Sequence, residues 1–328
     1  RVNNSLKGAD DKMRGLGGDH ITYKGVKKGL VVLVDFKNKK FADGHDLEYY
    51  KQIINGKDFS DPTEGYVGSV RDYFLAQSNG QFELDFDVVG PVTMSQNYGY
   101  YGRDVGSQKD ENVYKMIQEA CDGIKDQVNL ADYDWDGDGE ADQVFFLYAG
   151  LGQASGGSAS TVWPHESQLR YWPCGVLRYS TGKVNTYACA NELQPTTQGS
   201  SNYISAGIGT ICHEFSHCLG FADMYDTAGQ NGYGMTVFDV MDQGSYNGNG
   251  FVPCNYTAFE RIYAGWVEPI ELESPATVKD MKSVSDYGRP FIMYNFKNTN
   301  EYFLMENRQN TGWDKELYGC NGLLIVHV

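Results

Sequence analysis

No run of this sequence approaches the ~18 apolar residues that a membrane-spanning helix needs. Its longest apolar stretches lie at Gly29 to Phe36 and Val144 to Tyr148, so no membrane span is expected. A basic stripe is also missing. With 43 acidic against 27 basic residues and a net charge of −16, the chain repels a phosphate backbone, which argues against nucleic acid as a partner. The seven cysteines, at 121, 174, 189, 212, 218, 254 and 320, include no C-x-x-C pair, so neither a cysteine-based zinc site nor a thioredoxin-type motif is indicated. Their odd number leaves at least one thiol unpaired. Cys174 and Cys189 flank a hairpin-like segment and are candidates for a bridge that sequence alone does not fix.

What is present is 328 residues, enough for one large core or two smaller ones, with 39 Gly and 24 Tyr. Residues 1–27 are polar and Gly-rich and read as a tail or the remnant of a leader, consistent with a processed chain that opens on Arg1. LVVLVDF, at 30 to 36, has the β-branched run of a buried strand. Ser69 is placed to cap a helix through Gln77, with Val70, Tyr73, Phe74 and Gln77 on one face and Asn79-Gly80 as the stop. Gln81 to Val88 alternates as a strand does. Ser107 is expected to open a second helix with Asp110 at the capping-box position, and Val113, Met116, Ile117, Ala120 and Cys121 form its apolar stripe. A further helix is expected from Asn255 as N-cap to Ala264, stopping at Gly265. From about residue 268 the pattern turns to strands at Phe291 to Phe296, Tyr302 to Glu306 and Gly322 to Val328, read as a β-rich subdomain that continues past the last residue.

The chemistry concentrates in HEFSHCLGFAD, residues 213 to 223. Residues four apart on a helix share a face, so His213 and His217 aim two imidazoles at one point. Catalytic zinc takes three protein ligands and keeps a position for water, and Glu214 sits where its carboxylate can take a proton from that water. Gly220 can end the helix in a left-handed turn, which brings Asp223 round as third ligand. Glu260, on the downstream helix, is the competitor for that role. Met241 follows within FDVMDQGSYNG, where a thioether beneath the metal would supply a soft apolar floor. Tyr246 is a candidate hydrogen-bond donor to a developing oxyanion.

A second constellation, DWDGDGEAD, sets Asp134, Asp136, Asp138 and Asp142 at positions 1, 3, 5 and 9 of a calcium loop. Gly139 falls at position 6, and the Glu140 carbonyl is available at 7. Position 12 is Phe145 and a strand follows, so the loop is not an EF-hand; a structural calcium is expected. His165, in VWPHE, either lines the cleft or is structural.

These residues resemble the immune inhibitor A family of secreted bacterial metallopeptidases, which belongs with or near the metzincins. The resemblance runs over roughly residues 28–328, through LVVLVDF, GSVRDYFLAQSNGQFEL, DGDGEAD, VWPHE, the zinc helix with LGFADMYD, VMDQGSYNG and EYFLMENRQNTGWD. It implies zinc on His213, His217 and Asp223, Glu214 as catalytic base, and a secreted endopeptidase made as a zymogen. Ser216 departs from the small or glycine residue commoner at the middle of the motif. The expected architecture is an α/β (α+β) fold. A metzincin-like peptidase domain over 28–267, with a mixed twisted sheet and an active-site helix, precedes a β-rich extension over 268–328. Its substrates would be proteins or peptides. The rival reading is a zinc-containing cell-surface binding or adhesion module without turnover, against which the intact Glu214 argues.

Overall fold

A computed structural model describes residues 23–230, 232–317, 319 and 321–328. Most of the stretch read as a tail lies outside these residues, yet its end does not behave as one: β1 (Gly25–Asp35) already starts there. Gly25 pairs with Phe82 of β2 (Phe82–Thr93). The main sheet has six strands in the order β2-β1-β3-β7-β4, with β8 also on β7. β3 is Val144–Leu151, β4 His165–Gln168, β7 Thr186–Pro195 and β8 Tyr203–Ser205. β1, β2, β3 and β7 are parallel, whereas β4 and β8 run antiparallel to β7. The mixed α/β sheet expected from the sequence is therefore present. Among the described residues β4 ends the sheet and leaves one edge unpaired.

Side-chain alternation along these strands builds two cores. Val31, Leu33, Phe145, Leu147 and Ala188 face α1 (Leu47–Asn55), α2 (Val70–Gln77) and α4 (Gly209–Cys218). Leu30, Val32, Val144, Phe146 and Cys189 face α3 (Val113–Ile124). The result is helix, sheet, helix. α2 has the expected Ser69 cap, and with it a full capping box, in which the Ser69 hydroxyl accepts from the Asp72 N–H and the Asp72 carboxylate from the Ser69 N–H.

Two helix starts differ from the sequence reading. α3 begins at Val113, not Ser107, because Asp110 takes a left-handed φ of 50° and its carboxylate accepts from the Trp163 N–H instead of capping a helix. The helix expected from Asn255 is α5 (Ala258–Tyr263), capped by Thr257. Asn255 is held elsewhere: its side chain meets Gln77 and Ser285, and its N–H donates to Asp314. Cys174 and Cys189 flank the β5 (Leu177–Tyr179) and β6 (Gly182–Val184) hairpin, but both carry free thiols, so the candidate bridge is not formed. Cys320 lies outside the described residues. β9 (Ile270–Glu271), β10 (Phe291–Asn295), β11 (Asn298–Arg308) and β12 (Gly322–His327) make a second sheet. One of its faces packs Ile292, Tyr302 and Leu304 on Ala258 of α5. Among the described residues no helix is long and apolar enough to cross a membrane.

Candidate metal centre and active site

α4 packs on β7 and β4, presenting one face to the open end of the sheet. Its first residue, Gly209, is pressed so closely on the chain after Met241 that a Cβ there would lie 1.8 Å from the Ser245 carbonyl oxygen. Only a glycine lets the helix and that turn meet. At the other end Gly220, with φ 84°, turns the chain back, and the Phe221 N–H donates to the Ser216 carbonyl. Ser216 fits its position without strain on the site. It is fully buried, its hydroxyl donating to the Cys212 carbonyl and meeting the Tyr256 hydroxyl.

The two imidazoles are oriented by backbone. His213 Nδ1 lies 2.8 Å from the Val240 carbonyl oxygen and His217 Nδ1 lies 2.7 Å from that of Phe221. A carbonyl can only accept, so both Nδ1 atoms carry a proton, and in the neutral imidazoles it is the Nε2 lone pairs that are available to a metal. Those Nε2 atoms each lie 3.3 Å from Asp223 Oδ1. Bonds of about 2.0–2.1 Å to a tetrahedral zinc set neighbouring ligand atoms roughly 3.3 Å apart, the spacing observed. Asp223 Oδ1 is buried and has no neighbour to satisfy it besides these two imidazoles, a place that a cation would fill. His213, Glu214 and His217 bring ligand atoms within 4.8 Å of one another. Donor set, spacing and buried oxygen all fit zinc. Glu260 is elsewhere, fully buried on α5 with its carboxylate accepting from the Thr257 hydroxyl.

The charges are tightly linked. Burial raises the Glu214 carboxyl, as does Asp223, while His213 and His217 pull it down. Burial alone would lower His217, but Asp223 and then Glu214 outweigh it and the imidazolium persists to about 9. Burial would raise Asp223, yet the two histidines hold it well below the carboxylate range. A metal ligand must be a neutral imidazole, so cation binding displaces the His217 proton.

Met241 is fully buried directly after Val240, and its carbonyl accepts from the Met224 N–H. The turn thus joins both sides of the ligand set, because its neighbour Val240 orients His213. Tyr246 stands at the rim, the residue 54% exposed. Its phenol is raised by burial of part of the ring and by the Glu214 charge. His165 is structural: Nδ1 donates to the Trp163 carbonyl and Nε2 pairs with the Tyr187 hydroxyl, which uses both ring nitrogens. The neighbour that reaches the site is Glu166, which sequence reasoning passed over. Its carboxyl is pushed up to about 7 by burial, with His217 opposing and Glu214 reinforcing. Alternation along β4 was the available signal, but four residues beside a proline carry it weakly.

In the acidic loop, Asp134, Asp136 and Asp138 also bring ligand oxygens within 4.8 Å of one another. Asp134 accepts from the Gly137 and Gly139 N–H groups, and Asp138 from that of Glu140. Glu140 turns its side chain to Arg170. Asp142 accepts from the Trp135 N–H, and burial, then Asp136, Asp134 and Asp138, push it up to about 6.

A His-Glu-x-x-His helix whose imidazoles converge on a carboxylate, carried on a layered α/β sheet, is the arrangement characteristic of metallopeptidases. The chain belongs to the immune inhibitor A peptidase M6 family, whose catalytic-domain profile matches residues 24–267. It is similar to the pre-pro-metalloprotease PrtV of Vibrio cholerae serotype O1, with 26% identity over 324 residues covering 81% of this chain and 34% of that protein. Immune inhibitor A of Bacillus thuringiensis subsp. alesti is 24% identical over 295 residues, 75% of this chain and 41% of that protein. The chain therefore spans only 34% and 41% of the length of these relatives.

Proposed function

We propose that this chain is the catalytic portion of a secreted, metzincin-like zinc endopeptidase acting on proteins or peptides. The observation that carries the reading is the placement of His213 Nε2 and His217 Nε2 at 3.3 Å from the buried Asp223 Oδ1, with Glu214 alongside. His213, His217 and Asp223 would hold the zinc, which when bound polarises a carbonyl and acidifies a water. Glu214, buried and facing the same point, takes the proton from that water and delivers it to the leaving amine. Its raised affinity for a proton suits a group that must both accept and return one. Tyr246, at the open rim, donates its hydroxyl to the developing oxyanion. Met241 keeps the floor apolar and holds Val240 where it orients His213. In the same reading Asp134, Asp136, Asp138, Asp142 and the Glu140 carbonyl hold a structural calcium.

The test is metal analysis coupled to casein or gelatin digestion, with and without chelator, on the wild type and Glu214→Gln. About one zinc per chain is expected in both proteins. Digestion should be confined to the zinc-loaded wild type and lower in the variant by ~10² to 10⁴, the share of a positioned proton-transfer group. Near wild-type digestion by zinc-loaded Glu214→Gln would remove Glu214 as base. A zinc-loaded wild type that digests no protein would favour a binding module.

A further inference from the structure

Among the described residues, one half-buried carboxyl close to His217 and Glu214 has no side-chain partner of its own. Glu166 pairs in register with Ala188 of β7, and Ala188 belongs to the core under α4. Directly opposed residues of an antiparallel pair share a face, so Glu166 projects to the α4 side, where it feels the charges of His217 and Glu214. Other buried acids near this end of the sheet are satisfied. Glu192 accepts from Ala42 and Gly150 N–H groups and pairs with His45, and Asp35 pairs with Lys40. Among the described residues Glu166 has neither an ion pair nor a hydrogen bond through its side chain. The nearest cation in sequence, Arg170, is turned to Glu140.

The charge balance sharpens the point. A divalent cation on two neutral imidazoles is matched by Asp223 and Glu214, so an ionised Glu166 is one negative charge in excess. Removing a carboxylate from water without a partner is costly, and such a group beside a reactive centre is a candidate for ligand recognition. Among the described residues β4 has an unpaired edge, to which an extended peptide can add as a further strand, setting alternate side chains on the Glu166 side.

Resting on the endopeptidase reading, we propose that Glu166 is a specificity determinant of the cleft, its carboxylate receiving a lysine or arginine side chain of a peptide extended along β4. The contact is a charge-assisted hydrogen bond in a half-buried setting, which corresponds to a preference of roughly 10- to 100-fold.

The experiment compares kcat/KM at pH 8 of the zinc-loaded full chain on matched peptide sets in which one position at a time carries arginine or lysine, or the neutral citrulline or acetyl-lysine. At one subsite the cationic peptide should be preferred about 10-fold or more. In Glu166→Gln the ratio should fall to near one, and in Glu166→Asp it should be partly kept, with zinc content and melting temperature monitored in each. The same pairs are titrated against zinc-loaded Glu214→Gln, with and without Glu166→Gln, to read binding without turnover. Absence of a cationic preference at every subsite, or its survival in Glu166→Gln, would overturn the proposal. If no peptide is cleaved but cationic peptides still bind in a Glu166-dependent way, the specificity role stands and the endopeptidase reading falls. Charge-blind binding overturns the role whatever the turnover.

Discussion

Before folding, Asp223 and Glu260 are alike in kind, each a carboxylate downstream of a zinc-type helix. The structure separates them by their company. Asp223 Oδ1 lies 3.3 Å from both imidazole Nε2 atoms, whereas Glu260, whose Oε1 also lacks a hydrogen-bond donor, has Thr257 on its other oxygen and lies against Asp239 in the core. Asp223→Ala should therefore lose zinc while Glu260→Gln keeps it, as read by zinc content after dialysis against a weak chelator. Full zinc in Asp223→Ala with loss in Glu260→Gln would reverse the assignment. The place of Asp223 beside the two imidazoles was legible because the turn at Gly220 brings it there. Glu166 was not, since which face its side chain takes depends on pairing with a distant strand. Nor was the engagement of His165 Nε2, which depends on Tyr187, 22 residues on.

At the level of elements, the strong periodic signals held and the boundaries moved. The α2 capping box is local chemistry within four residues, so the sequence displays it. The start of α3 is decided by Trp163, which claims Asp110 from 53 residues away, and no local pattern encodes that. The acidic loop lies between these cases, with its spacing readable and its electrostatics dependent on folding. The Asp142 carboxyl titrates at about 6 in the folded cation-free loop, against about 3.9 in an unfolded chain. Between those values the folded state binds more protons than the unfolded one, so stability falls as pH rises through that window and stays reduced above it. Calcium, by taking the same carboxylates as ligands, should abolish the decline. The melting temperature of protein stripped and reloaded with zinc alone should drop between about pH 4 and pH 6 relative to the calcium-loaded form. Millimolar calcium at pH 7 should raise it and suppress proteolytic nicking near Asp138. Parallel pH profiles with and without calcium, and no shift at pH 7, would remove calcium from this loop.

Across the whole molecule, the question is whether the strands after residue 267 form a separable unit, as their composition suggests. The contacts point to dependence. Arg308 of β11, 1% exposed, donates to both Asp314 oxygens and to Glu306. It also donates to the carbonyls of Phe238 and Asn255, the first of which lies three residues before Met241. Asp314 in turn accepts from the Asn255 N–H, and Trp313 stacks edge-on against Tyr73 of α2 at 5.1 Å. The C-terminal sheet thus holds the backbone that leads into the Met241 turn, and that turn orients His213. Removing one member of a buried ionic cluster strands the others, at a cost of about 3–5 kcal/mol. Arg308→Ala should lower stability by that order in urea unfolding and weaken zinc retention, even though Arg308 touches no ligand. A chain ending at residue 267 should lose the cooperative unfolding transition of the full chain. If that fragment instead melts at the same temperature with the same zinc content, the second sheet is an independent appendage and the cluster around Arg308 does not support the site.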